Sequence, residues 1–150
     1  MPWHSCAILQ PLDDPWPPAS AVLFHRQPIL TESDVVLGRQ AVGRAMAEVG
    51  AREVRRIRLV TAVSEIFRNA LRYGGGGEAV IFLDRVTKAV LVECRDNGPG
   101  IEDTALAMRD GYTSGKGLGM GLGGAQRLTD AFELHSRPNE GTRVRMMSRA

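Results

Sequence analysis

Glu65 and Asn69 stand four residues apart in a helical stretch, with Arg72 a further turn along, so the three fall near one face of that helix. A carboxylate there can orient or deprotonate a hydroxyl, a carboxamide oxygen can ligate Mg2+, and a guanidinium can meet phosphate. Asp96-Asn-Gly-Pro-Gly100 closes a strongly apolar stretch. Its carboxylate can accept a hydrogen bond from an exocyclic amine, while Gly98 and Gly100 let the backbone come close to a planar ligand. Gly115-Lys-Gly-Leu-Gly-Met-Gly-Leu-Gly-Gly124 exposes backbone amides ahead of a helix. That arrangement suits an anion, and Lys116 adds a point charge. Each feature also has a plainer reading taken alone: a solvated helix face, an ordinary turn, a glycine-rich loop.

Two common nucleotide motifs are excluded. The spacing Gly119-Met-Gly121-Leu-Gly-Gly124 matches a dinucleotide fingerprint, but that fingerprint needs a strand just before it, and Asp-Gly-Tyr-Thr-Ser-Gly-Lys is not one. Gly111-Tyr-Thr-Ser-Gly-Lys116 is one residue short of a Walker A loop, and Gly117 follows the lysine where Ser or Thr is required.

The elements that must hold these residues are readable from periodicity and punctuation. Residues 1–20 hold both tryptophans, Trp3 and Trp16, and five of the eight prolines. They read as an irregular N-terminal tail pinned by one Trp, ahead of a domain over 21–150. Residues 21–30 read as a strand with Pro28 at its end or at an edge. Thr31 or Ser33 caps a helix whose apolar positions are Val35, Val42, Met46 and Val49, stopped by Gly50. A second helix runs from about 53 to 73 with Val60, Val63, Phe67, Ala70 and Leu71 as its stripe, and the glycine run 74–77 ends it. Strands over 78–84 and 89–95 form a hairpin. After the glycine-rich stretch come a helix over 122–129 and two strands turning at 138–141. This order predicts an α/β protein, a two-layer sandwich with helices on one face of a mixed, mainly antiparallel sheet. It does not fit a doubly wound parallel sheet.

Composition narrows the function classes. A net charge of +2 carries no general signal for nucleic acid. Cys6 and Cys94 are too few for a disulfide scaffold or a four-thiolate zinc site, and His4, His25 and His135 are scattered. No apolar run approaches a membrane span and no basic start precedes the short run at 6–9, so a cytoplasmic location is expected. Cys94, His25 and His135 read as core or satisfied residues, and Arg52, Arg55, Arg56 and Arg58 as a solvated helix entrance. Of 17 glycines, 13 lie between Gly74 and Gly124, which locates the functional region.

Taken together, Ser-Glu-Ile-Phe-Arg-Asn-Ala-Leu-Arg-Tyr at 64–73, Asp-Asn-Gly-Pro-Gly at 96–100 and Gly-Lys-Gly-Leu-Gly-Met-Gly-Leu-Gly-Gly at 115–124 resemble the N box and the two glycine boxes of the GHKL ATPases. Gly141-Thr142 is similar to the family's last box. The resemblance covers about 21–148 and implies the Bergerat ATP-binding fold. Glu65 resembles the serine-kinase and ATPase branches, and residues 110–136 are similar to RsbT-type switch kinases of bacterial stress signalling. What the resemblance implies is an ATP- and Mg2+-dependent serine/threonine-protein kinase acting on a STAS-domain protein, with a PP2C-type phosphatase or a sigma factor as a further partner. An anti-sigma factor acting mainly by sequestration is the alternative. A detached histidine-kinase ATPase domain fits less well, since position 65 is Glu and no dimerisation helix with a phosphoacceptor His precedes the domain.

By the same resemblance Glu65 is the catalytic base or orienting carboxylate and Asn69 the Mg2+ ligand. Arg72 lies near phosphate, Tyr73 near the nucleoside, and Asp96 reads the adenine amine with Gly98 and Gly100 beside the base. Thr142 supports Asp96, directly or through water. Residues 102–118 form a lid, and Gly117, Leu118, Gly119 and Gly121 line the phosphate cradle. Lys116 either contacts phosphate or caps the lid.

Overall fold

The computed structural model describes residues 4–8, 15–101 and 121–150. Its elements are β1 (His4–Ile8), β2 (Val22–Ile29), α1 (Glu32–Glu48), α2 (Glu53–Arg72), β3 (Gly77–Asp84), β4 (Ala89–Asp96), α3 (Leu122–Arg127), β5 (Ala131–Arg137) and β6 (Gly141–Arg149). The strands form one six-stranded sheet in the order β1-β5-β6-β4-β3-β2. Every described pairing is antiparallel, so the expected sandwich is present without the mixed component.

Local chemistry explains the boundaries. Pro28 has no N–H to give a ladder and sits in β2, which has β3 as its single neighbour. Thr31 is the cap of α1. Its hydroxyl accepts from the Asp34 N–H at 3.2 Å while the Asp34 carboxylate accepts from the Thr31 N–H at 3.1 Å, a reciprocal capping box. Gly50, with φ of 78°, turns the chain out of α1.

The helices cover one face of the sheet. Ala79, Ile81 and Leu83 of β3, Val90, Val92 and Cys94 of β4, Phe132 and Leu134 of β5, and Val144 and Met146 of β6 alternate inward. They meet Val35, Val42 and Met46 of α1 and Val63, Phe67 and Ala70 of α2. Phe67 is buried where α1 offers Gly38: a methyl on Gly38 would lie 2.8 Å from the phenyl ring. Burying a phenylalanine contributes about 2–3 kcal/mol, so this close approach of two helices is a large local term.

Two sequence expectations change here. The lead-in is not wholly irregular, because His4–Ile8 pairs with β5 as an edge strand. Composition hid that strand, since its partner lies some 130 residues on and supplies the pairing that local propensity lacks. Trp16 does pin the lead-in, edge-on to Phe82 (ring centroids 6.1 Å apart) and beneath the Arg145 guanidinium at 4.9 Å, on the sheet face away from the helices. The arginines opening α2 are also not merely solvated. Arg55 pairs with Asp130 at 2.5 Å and donates to the Arg149 carbonyl, and Arg58 donates to the Arg127 carbonyl at 3.0 Å. They tie the start of α2 to the opposite end of the chain.

Candidate active site

A cleft opens between α2 and the ends of β4 and β6, with about 480 Å3 of space that runs into open solvent. Ile66, Asn69, Ala70 and Tyr73 line it from α2, the i, i+3, i+4, i+7 pattern of one helical face. Cys94, Asp96, Thr142 and Val144 line it from the sheet, and Gly100, Ile101 and Leu122 stand at its mouth. Its described lining is mostly apolar, with Asn69, Tyr73, Asp96 and Thr142 bearing the polar side chains.

Asp96 ends β4, facing Gly77 of β3 on one side and Thr142 of β6 on the other. Its Oδ1 accepts from the Gly98 N–H at 2.9 Å. Burial raises the Asp96 pKa, opposed by hydrogen bonds from the Gly98 and Thr142 backbone. The backbone around it is packed without room for side chains. A Cβ on Gly74 would strike the Asp96 carboxyl carbon, one on Gly98 would lie 2.5 Å from the Gly74 Cα, and one on Gly141 would strike the Asp96 carbonyl oxygen. Gly74 therefore does more than end α2, which corrects the expectation that residues 74–77 only terminate the helix; Gly77 itself is the first residue of β3.

Ser136 is a site residue that sequence reasoning missed. Its hydroxyl lies 2.9 Å from the Thr142 hydroxyl, donates to the Gly141 carbonyl at 3.0 Å and accepts from the Ile101 N–H at 2.8 Å. It fixes Thr142 and the chain at the cleft mouth together. The available signal was a polar residue at an inward strand position, after Phe132 and Leu134, where an apolar one is the norm.

Glu65 lies one turn from Asn69, beside the cleft. Its carboxylate faces Arg68 at 3.5 Å and abuts Gly121, where a Cβ would come within 2.6 Å of Oε2. Gly121 has φ of 68° and is the residue from which α3 starts, so glycine answers both the backbone angle and the contact. Arg72 departs from expectation. It is half exposed and points to Glu32 of α1 at 3.9 Å, and it does not line the cleft. At about 100° per residue, position 72 is turned some 60° from Asn69 and about 100° from Tyr73, away from the cleft. Lys116, Gly117, Leu118, Gly119 and the lid 102–118 with Met108 and Tyr112 lie outside the described residues.

The remaining candidates behave as ordinary structure. Cys94 is buried and burial pushes its thiol pKa up, so it is no nucleophile. His25 lies 2.9 Å from the Gln27 side chain and His135 lies 2.6 Å from Glu133. Among the described residues no cluster of three or more His, Cys, Asp or Glu is placed to hold a metal, and no helix is long and apolar enough to cross a membrane.

The site is a half-buried Asp at a strand end of a two-layer sandwich, facing an Asn-bearing helix across the cleft. The family model for histidine kinase-, DNA gyrase B- and HSP90-like ATPases matches residues 54–149, and the chain belongs to that family. Its nucleotide is accordingly ATP. The chain is 41% identical over 118 residues to the serine/threonine-protein kinase RsbT of Bacillus subtilis (strain 168), covering 77% of this chain and 89% of that protein. It is 37% identical over 93 residues to an anti-sigma F factor of Clostridium botulinum (strain Eklund 17B / Type B), covering 57% of this chain and 65% of that one. An anti-sigma F factor of Thermoanaerobacter sp. (strain X514) is 34% identical over 92 residues.

Proposed function

We propose that this protein is an ATP- and Mg2+-dependent serine/threonine-protein kinase of a bacterial partner-switching module, acting on a STAS-domain antagonist protein. A PP2C-type phosphatase or a sigma factor is the further partner. The carrying observation is Glu65, a carboxylate one helical turn from the cleft residue Asn69 and packed against Gly121, in a chain 41% identical to a serine/threonine-protein kinase.

The described residues suit the nucleotide. The packed glycines around Asp96 bring backbone to the cleft wall, and an ionised Asp96 carboxylate is the acceptor an exocyclic amine needs. Tyr73 and Ile66 give apolar surface to a planar base. Asn69 would be the oxygen donor for Mg2+, an ion that takes few protein ligands and would supply charge neutralisation at the phosphates. ATP supplies the phosphoryl group. Glu65 holds the incoming serine hydroxyl and takes its proton, and the rest of catalysis is positioning and charge neutralisation. Gly121 keeps Glu65 in place from the other side.

The test mixes the protein, radiolabelled ATP and a purified STAS-domain protein. We expect label on a serine or threonine of that protein, lost in Glu65→Gln with nucleotide binding retained. Unchanged phosphotransfer by Glu65→Gln removes Glu65 from its role. The similarity to anti-sigma F factors supports a second reading, in which sequestration of a sigma factor is the main output. Stable capture of a sigma factor by a variant unable to transfer phosphate favours that reading.

A further inference from the structure

The helical layer carries a second concavity, which shares no lining residue with the cleft. It is a groove of about 1070 Å3 between α1 and α2, with Arg39, Arg44 and Arg56 on its rim and Gly43, Ile57 and Val60 in its floor. None of its described lining residues is acidic. No described carboxylate pairs with Arg39 or Arg44, and Arg56 has only a long contact of 4.0 Å to the exposed Glu53. The Arg39 Nε is buried with no hydrogen-bond partner among the described residues, and an unpartnered buried donor costs free energy. The floor is apolar and accessible, since Ile57 is 53% exposed.

Gly43 is the telling residue. Glycine inside a helix costs about 1 kcal/mol relative to alanine, and at Gly38 the packing of Phe67 explains it. At Gly43 no such reason exists: an added Cβ would sit 3.8 Å from Val60, an ordinary contact. What Gly43 does is keep the groove floor low.

We propose that the α1–α2 groove is a docking surface for an acidic amphipathic helix of a protein partner. Three cations without buried counter-ions around an apolar floor call for an occupant with carboxylates on its flanks and apolar side chains along its centre. Two neighbouring helices present ridges into which a third helix packs. The apolar floor, in a chain whose net charge is only +2, favours protein over nucleic acid.

The test titrates the isotope-labelled full chain with a synthetic helical peptide carrying leucines at i, i+3, i+4 and i+7 flanked by glutamates. The same peptide with lysines for glutamates and a single-stranded oligonucleotide serve as competitors. We expect saturable NMR shifts confined to the groove with the glutamate peptide, weakened by added salt. Arg39→Glu or Arg44→Glu weakens binding at least tenfold. Gly43→Met, which fills the floor, does the same while ATP affinity stays at the wild-type value. Equal binding of the lysine peptide, unchanged affinity in the charge-reversal variants, or tighter occupation of the groove by the oligonucleotide overturns the proposal. None of these results depends on the kinase assignment.

Discussion

On the strand side of the cleft, Asp96 is enclosed by backbone: Gly74, Gly98 and Gly141 press on it so closely that none can carry a side chain. On the helix side, Asn69, Tyr73 and Glu65 project from a continuous α2 whose core face is anchored independently by Val63, Phe67 and Ala70. The first wall is made by steric closure among three segments distant in sequence. The second is made by side-chain chemistry on a scaffold that stands without it. Substitutions on the strand wall should therefore damage fold and site together, whereas those on the helix wall should remove chemistry alone.

The largest effect is expected for Gly141→Ala. It forces a Cβ onto the Asp96 carbonyl at a backbone φ of 92°, and strain plus overpacking cost about 2–5 kcal/mol. Denaturant unfolding should show that loss, with ATP binding lost alongside; a wild-type midpoint would erase the contrast between the walls.

Asp96→Asn sharpens it. We expect ATP affinity to fall at least a hundredfold by calorimetry, while the unliganded protein at neutral pH is no less stable than wild type. The sign follows from the raised Asp96 pKa, whose main cause is burial. The group's favourable contribution is complete below its unfolded-state pKa and is lost as pH rises through the raised folded value. Wild type should thus gain stability relative to Asp96→Asn on acidification. Its ATP affinity should decline with falling pH, starting above the usual carboxylate range, because the ionised form accepts the hydrogen bond.

On the helix wall, Asn69→Ala should weaken Mg2+-dependent ATP binding more than tenfold with the unfolding midpoint shifted little, since the side chain faces the cleft rather than the core. A wild-type affinity in that variant would sink the assignment of Asn69. The smallest effect is expected for Arg72→Ala. Its exposed pair with Glu32 at 3.9 Å contributes little, and ATP affinity should stay within about twofold, that is within ~0.4 kcal/mol. A tenfold loss would return Arg72 to the phosphate site.

Much of the frame was legible because the signals were local. The cap at Thr31, the stripe through Val63 and Phe67 and the stop at Gly50 each depend on neighbours within a turn or two. Asn69, Tyr73, Asp96 and Thr142 were legible as cleft residues through their motifs, and the cleft gathers them. Arg72 was grouped with Asn69, but three residues along a helix can mean a different face, and Arg72 does not line the cleft. Gly74 was underread because the atoms that require it belong to Asp96, and Ser136 was overlooked because its partners, Ile101 and Thr142, lie on other segments. The strand His4–Ile8 was hidden for the same reason.

The sequence alone determined the element order, the helical faces and the chemical types available to the site, since these follow from periodicity, capping and side-chain identity. Tertiary structure decided which of those side chains share one cleft, which glycines are close approaches rather than turns, and where a groove is left open between two helices. Those outcomes are contacts between residues far apart in the chain, set by how the layers pack. No local pattern encodes a distance between segments that have yet to meet.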